Sequence, residues 1–131
     1  MKFEAPVPGR RVRGSRTGRP LMAAFDLLGR RGVLRILWEL RGGEALTFRA
    51  LQSAAELPPA TLNTRLRELR GAGLIDAEGG YRLSSTGSQL LPALEPLQSW
   101  AVLWAKRHGK NRDAAPTQRV ARKRDASDSG R

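Results

Sequence analysis

Asn63, Thr64 and Arg67 have side chains that can hydrogen-bond to base edges and phosphates, and their spacing places them together on one side of a predicted helix. Residues three and four apart are neighbours on a helix surface. An asparagine amide pairs with adenine, and an arginine guanidinium pairs with guanine, each through two hydrogen bonds in the major groove of DNA. The sequence therefore predicts a base-reading surface made of these three residues.

Several nearby side chains are of the types that bind phosphate, namely arginine and threonine. We expect contacts with the DNA backbone from Thr47, Arg49, Thr61, Arg65, Arg70 and Arg82. For the arginines a second interpretation stays open, because Arg65 and Arg67 could instead pair with Glu68 or with other surface acids.

The predicted reading surface needs a helix that is docked along its opposite side. We predict that helix from Pro59 to Arg70, with Leu62, Leu66 and Leu69 as its docking stripe. Pro59 suits the first position of a helix, whereas Pro58 before it offers no side-chain acceptor to cap the helix.

The elements around this helix complete a small fold. A helix from Phe48 to Glu56 and the turn at 57–59 precede it, and a hairpin follows, with Leu74-Ile75 and Tyr81-Arg82-Leu83 joined at Glu78-Gly79-Gly80. Further predictions are helices over 21–28 and 33–41, a short strand at 46–47, and a last helix from about 84 to 107. This order predicts a mainly α, small α+β fold, a winged helix-turn-helix with a short two-stranded wing and a long C-terminal dimerisation helix.

Positive charge is concentrated at the two ends of the chain. The net charge is +12, of which residues 1–20 contribute +5, residues 106–131 contribute +6, and the middle only +1. We predict a disordered basic arm over 1–19, a folded domain over 20–108 and a disordered basic tail over 109–131. Basic arms suit a polyanion, since neutralised phosphates release counterions. The arm residues are Arg10, Arg11, Arg13, Arg16, Arg19, Arg122, Lys123 and Arg124.

Apolar residues on the first and last predicted helices exceed what a small domain needs for its own core. The first helix is apolar nearly all round, and the last has a seam with a period close to 3.5 residues. We expect these residues to join two subunits in a homodimer: Leu21, Met22, Phe25, Leu94, Leu97, Trp100, Ala101 and Trp104.

Other classes of function have little support in the composition. The chain has no cysteine and one histidine, His108, so we expect no metal site and no cofactor. Nothing can be assigned as acid, base or nucleophile, which makes an enzyme the weakest option. No apolar run is long enough to cross a membrane, and we expect a soluble, cytoplasmic, nucleoid-associated protein. The sequence identifies no small-molecule effector.

The residues also resemble a known family in their order and spacing across about 21–104. The matching segments are Ala24-Phe25-Asp26-Leu27-Leu28-Gly29, Leu34-Arg35-Ile36-Leu37-Trp38-Glu39-Leu40, Phe48-Arg49-Ala50-Leu51, Leu62-Asn63-Thr64-Arg65-Leu66-Arg67-Glu68-Leu69, Gly73-Leu74-Ile75, Tyr81-Arg82-Leu83, Thr86-Gly87, and Leu91-Pro92-Ala93-Leu94 with Trp100. In these segments the chain resembles the HxlR family of bacterial transcription regulators.

The resemblance implies a homodimer joined through its first and last helices, bound to a two-fold operator with recognition helices in successive major grooves. The chain departs from the family at several points. Gly32 stands where a tryptophan is usual, Pro58 where a serine cap is common, and the wing is much shorter. The cysteine that some members use as a sensor is missing, so redox control does not carry over.

The sequence thus favours a sequence-specific transcriptional regulator, with two alternatives. One is a nucleoid-associated protein that coats DNA with low sequence preference, for which basic arms are equally suitable. The other is a winged helix that serves as a protein-interaction module.

Overall fold

The computed structural model describes residues 5–111, and for residues 110 and 111 only the backbone. The chain divides into two compact units, one ending at Leu91 and the other beginning at Pro92. In chain order the elements are α1 (Pro20–Leu28), α2 (Val33–Glu39), α3 (Phe48–Ala55), α4 (Pro59–Gly71), β1 (Ile75–Asp76), β2 (Arg82–Leu83) and α5 (Ser85–Asn111). The predicted winged helix-turn-helix fold, mainly helical with a long C-terminal helix, is confirmed.

The core of the first unit is made by one apolar side of each helix. Helices α2 and α4 contribute three apolar residues each, and α3 and the hairpin complete the core. The largest fully buried side chains are Val33, Ile36, Leu37, Leu40, Leu51, Leu62, Leu66 and Leu69. The spacings of three and four residues in this set put them on single helix faces, which is why the apolar pattern alone located the helices.

Helix ends follow from local chemistry. The hydroxyl of Thr47 accepts a hydrogen bond from the backbone N–H of Ala50 at 3.0 Å and so caps α3. Pro58 makes no such bond at the start of α4, as expected from its side chain. Gly32 precedes α2 at φ +86°, a conformation that side chains disfavour, and an added Cβ would lie 2.7 Å from Leu57. Gly32 is therefore required by the tight α1–α2 connection.

The wing is an antiparallel hairpin of two residues per strand. Ile75 pairs with Leu83, and Asp76 pairs with Arg82. The predicted strand at 46–47 is reduced to a single bridge, in which Leu46 and Tyr81 exchange hydrogen bonds of 2.9 and 2.8 Å. The short strands leave a wing with little reach beyond the body of the first unit.

The start of α5 is fixed against the end of the loop that precedes β1. The backbone N–H of Ser84 donates to the carbonyl of Leu74 at 2.9 Å, and the hydroxyl of Ser84 donates to the carbonyl of Gly73 at 2.6 Å. A Cβ at Gly87 would lie 2.0 Å from the same Leu74 oxygen. Only glycine allows this approach between helix and loop.

Residues 5–19, here called the N-terminal segment, differ from the disordered arm that composition predicts. Val12 and Ser15 exchange two backbone hydrogen bonds, and the N–H of Gly9 donates to the carbonyl of Gly18 at 2.9 Å. Val12 is 8% exposed, so the segment has a small apolar anchor of its own. The segment therefore has a defined course over the described residues.

Helix α5 continues to Asn111 and takes in the first residues of the predicted C-terminal tail. The rest of that tail, with Arg122, Lys123 and Arg124, lies outside the described residues. Within the second unit the rings of Trp100 and Trp104 stack, with centroids 5.2 Å apart and an interplanar angle of 16°.

Candidate nucleic-acid interface

Helix α4 has two different sides, as a reading helix requires. Leu62, Leu66 and Leu69 are buried in the core. Asn63 and Arg67 are exposed on the other side. The burial of one side fixes the helix, and the exposure of the other leaves polar groups accessible to a macromolecule in the solvent.

Of the three predicted base-contact residues, Thr64 is the most constrained. It is half-buried, and its hydroxyl donates a hydrogen bond to the carbonyl of Ala60 at 3.1 Å. A threonine bound in this way to its own helix still has acceptor capacity and a methyl group. Asn63, Thr64 and Arg67 thus lie together, with the amide and guanidinium more accessible than the hydroxyl.

Arg65, predicted as a phosphate contact, is instead held within the protein. Its Nη1 lies 3.0 Å from Oε1 of Glu68, and its Nε donates to the carbonyl of Arg31 at 2.9 Å. The structure therefore favours the second interpretation that the sequence left open for this residue. Its guanidinium ties α4 to the α1–α2 connection.

Glu68 is the buried centre of an ion network that the sequence revealed only in part. Its side chain is 6% exposed and also receives a hydrogen bond from Nη1 of Arg30 at 2.7 Å. Arg30 in turn contacts Asp26, with Nε and Oδ1 3.4 Å apart. The other carboxylate oxygen of Asp26 accepts the backbone N–H of Arg13 at 3.0 Å.

This network joins three parts of the first unit: α1, the α1–α2 connection and α4. Asp26 and Arg30 have the spacing of a helical ion pair, which is a signal readable in the sequence. Arg30 and Glu68 are 38 positions apart, and no local pattern indicates their contact. We call Asp26, Arg30, Arg65 and Glu68 the ion network.

The remaining predicted backbone contacts are exposed or half-buried. Arg49, Arg70 and Arg82 are exposed, and Thr61 is half-buried. Thr47 is exposed and also caps α3, so its oxygen accepts an intrahelical bond while its O–H can donate elsewhere.

Acidic side chains lie close to one of these arginines. Arg70 lines an open hollow of about 490 Å³ together with Ile75, Asp76, Ala77 and Glu78. Two carboxylates at the wing disfavour a phosphate there, because like charges repel. The wing of this chain is therefore a poor place for contacts with the DNA backbone.

The predicted subunit contacts are apolar and accessible in both units. In the first unit Leu21 and Phe25 are 62% and 57% exposed, and Met22 is half-buried. In the second unit Leu97, Trp100 and Trp104 are exposed, and Leu94 and Ala101 are half-buried.

The five arginines of the predicted N-terminal arm, Arg10, Arg11, Arg13, Arg16 and Arg19, are all exposed.

Among the described residues no group of three or more His, Cys, Asp or Glu side chains is placed to hold a metal ion. None of the helices that the structure describes is long and apolar enough to span a membrane.

The fold and the two-sided α4 define this chain as a winged helix-turn-helix protein. A family model described as a helix-turn-helix domain matches residues 30–78. Among solved structures, the chain is similar to quinone-bound YodB from B. subtilis, with 26% identity and a TM-score of 0.60 over 63% of this chain and 96% of that chain. No curated protein matches the chain. The two similarities support the class of DNA-binding transcriptional regulators.

Proposed function

We propose that this protein is a sequence-specific transcriptional regulator of the HxlR type, which binds a two-fold operator as a homodimer. The observation that carries the proposal is the division of α4 into a buried leucine side and an exposed polar side. A helix held in this way can enter the major groove without loss of its contacts to the core.

In the proposed complex the exposed side of α4 reads the bases. Arg67 pairs with a guanine and Asn63 with an adenine, each pair giving roughly 1–3 kcal/mol of discrimination. Thr64 contributes through its methyl group and its remaining acceptor capacity. Arg65 takes no part in this readout, since its guanidinium is already engaged with Glu68 and with the carbonyl of Arg31.

Contacts with the DNA backbone come from residues around the reading side. Arg49, Thr47 and Thr61 supply most of them. Arg70 and Arg82 contribute less, because the wing also carries the carboxylates of Asp76 and Glu78. Such contacts set the register of the protein on the duplex and add affinity that falls with salt. The arginines of the two basic arms add to this salt-dependent affinity.

The accessible apolar side chains of the predicted subunit contacts support the proposed homodimer. Contiguous apolar surface on a monomer is typical of an interaction site. Two subunits joined by a two-fold axis present two copies of α4, which matches a palindromic operator with half-sites about one helical turn apart. A regulator of genomic DNA works at the nucleoid, in the cytoplasm.

Selection of bound sequences from a pool of random duplex DNA tests the proposal. We expect a two-fold consensus with half-sites about 10 bp apart. Binding without enrichment, with a ratio of specific to random affinity near one, would instead identify a DNA-coating protein. No binding at physiological salt would favour a protein-interaction module.

A further inference from the structure

The N-terminal segment (residues 5–19) carries five arginines and no acidic residue, and it is built into the first unit. A flexible tail has no position that requires glycine, whereas this segment has one. Gly18 has φ +73°, and a Cβ there would lie 2.1 Å from the backbone oxygen of Arg10. The two ends of the loop are thus in backbone contact, which only glycine permits.

Two contacts fix the segment to α1. The N–H of Arg13 donates to Asp26, a member of the ion network. Gly14 lies so close to Met22 that a Cβ would be 2.6 Å from its terminal methyl group. All five arginine residues of the segment are exposed.

Ala5, at the beginning of the N-terminal segment, lies beside the C-terminal end of α4. A Cβ at Gly71 would be 3.5 Å from the Cβ of Ala5. Gly71 is four residues after Arg67, so both lie on the same side of α4. Arg10 and Arg11 follow Ala5 by five and six residues, a distance of at most about 20 Å along the chain.

We infer that the N-terminal segment is a preformed second DNA-binding element, which holds the sugar-phosphate backbone beside the C-terminal end of α4. It takes the place of the wing, whose two strands are short and whose carboxylates repel phosphate. The inference rests on the proposed function and adds that the position of these arginines, as well as their charge, is required.

Two matched pairs of variants of the full chain separate position from charge. Gly18→Ala keeps every arginine but cannot keep the loop closed, and Gly42→Ala is its control, since a Cβ there meets nothing within 4 Å. Arg11→Gln with Arg13→Gln removes two charges from the segment. Lys106→Gln with Arg107→Gln removes two charges from the exposed end of α5.

The measurement is fluorescence anisotropy of a labelled random-sequence duplex as a function of NaCl concentration. Each lost phosphate contact lowers the slope of log affinity against log salt by about 0.9, so the arginine pair should lower it by about 1.8 per subunit. When NaCl is raised from about 50 to 200 mM, the affinity of this variant should therefore fall roughly 12-fold less, per subunit, than the affinity of the unaltered protein. Gly18→Ala should lower the slope by at least about 1, and both controls should leave it nearly unchanged.

Several results would overturn the inference. One is a Gly18→Ala protein that binds like the unaltered chain, and another is an equal effect of the two charge pairs. Thermal unfolding shows whether Gly18→Ala is folded. If that variant is unfolded, the double variant Arg11→Gln, Arg13→Gln still tests the inference, because both residues are exposed. If the segment variants bind normally while Arg67→Ala loses base preference, only this inference fails. If the unaltered protein binds no duplex, the proposed function fails with it.

Discussion

Replacement of Glu68 by glutamine tests whether the ion network holds the reading helix in place. The carboxylate is nearly inaccessible, and it binds Arg30 at 2.7 Å and Arg65 at 3.0 Å. Glutamine keeps the shape and one oxygen acceptor but removes the negative charge between two guanidinium groups. We therefore expect a less stable first unit with the same fold.

The size of the effect follows from what each partner retains. A hydrogen bond to a charged group contributes about 1.5–3 kcal/mol, so two such bonds set an upper limit of about 3–6 kcal/mol. In the variant Arg30 still contacts Asp26, and Arg65 still donates to the carbonyl of Arg31. The side chains of Arg30 and Arg65 are 29% and 20% exposed, so water can replace part of the lost interaction. We expect a decrease of about 2 kcal/mol in the free energy of unfolding, equal to roughly 10 °C in Tm.

Urea unfolding followed by far-ultraviolet circular dichroism, at one fixed protein concentration, measures this difference. The control is Glu39→Gln, whose partner Arg35 is 53% exposed, and which should change the free energy by less than about 0.5 kcal/mol. A double-mutant cycle with Arg30→Gln should give a coupling energy of about 1–2 kcal/mol. If Glu68→Gln costs no more than Glu39→Gln, the network does not stabilise α4 and the reasoning is refuted.

Three further predictions concern the reading helix, the start of α5 and the subunit contact. Arg67→Ala should relax base preference at one operator position by about 1–3 kcal/mol, whereas Arg70→Ala should weaken all sequences alike; equal effects on selected and random DNA in both variants would contradict the assignment. Gly87→Ala should destabilise the first unit by about 3 kcal/mol in urea unfolding, because its Cβ meets a backbone carbonyl, while Gly42→Ala serves as the unstrained control. Phe25→Glu should convert the proposed homodimer to a monomer in sedimentation velocity with little change in Tm, since Phe25 is 57% exposed; a dimer of unchanged affinity would exclude α1 from the interface.

The helices were predictable because their burial is periodic. The predicted limits of α4, 59–70, differ from the observed Pro59–Gly71 by one residue. The hairpin was predicted from its glycines, although β1 begins one residue later than expected, at Ile75. In each case the signal lies within a few residues of the element, where spacing and turn chemistry determine the result.

What could not be predicted depends on contacts between distant residues. The contact between Arg30 and Glu68 exists only after α1 and α4 have packed. The ordered N-terminal segment has one buried valine, Val12, and relies on close backbone approaches at Gly14 and Gly18. A glycine-rich composition predicts disorder, whereas here Gly14 and Gly18 permit close contacts with Met22 and Arg10.

The two sides of α4 also have a consequence for evolution. Under the proposed function the base-reading residues Asn63, Thr64 and Arg67 are not part of the buried leucine core, so a duplicated copy of this gene can acquire a new target with that core intact. Changes on the opposite side carry a stability penalty before any new target is gained. Divergence within such a lineage should therefore run along one side of a single helix, and paralogues should differ there first.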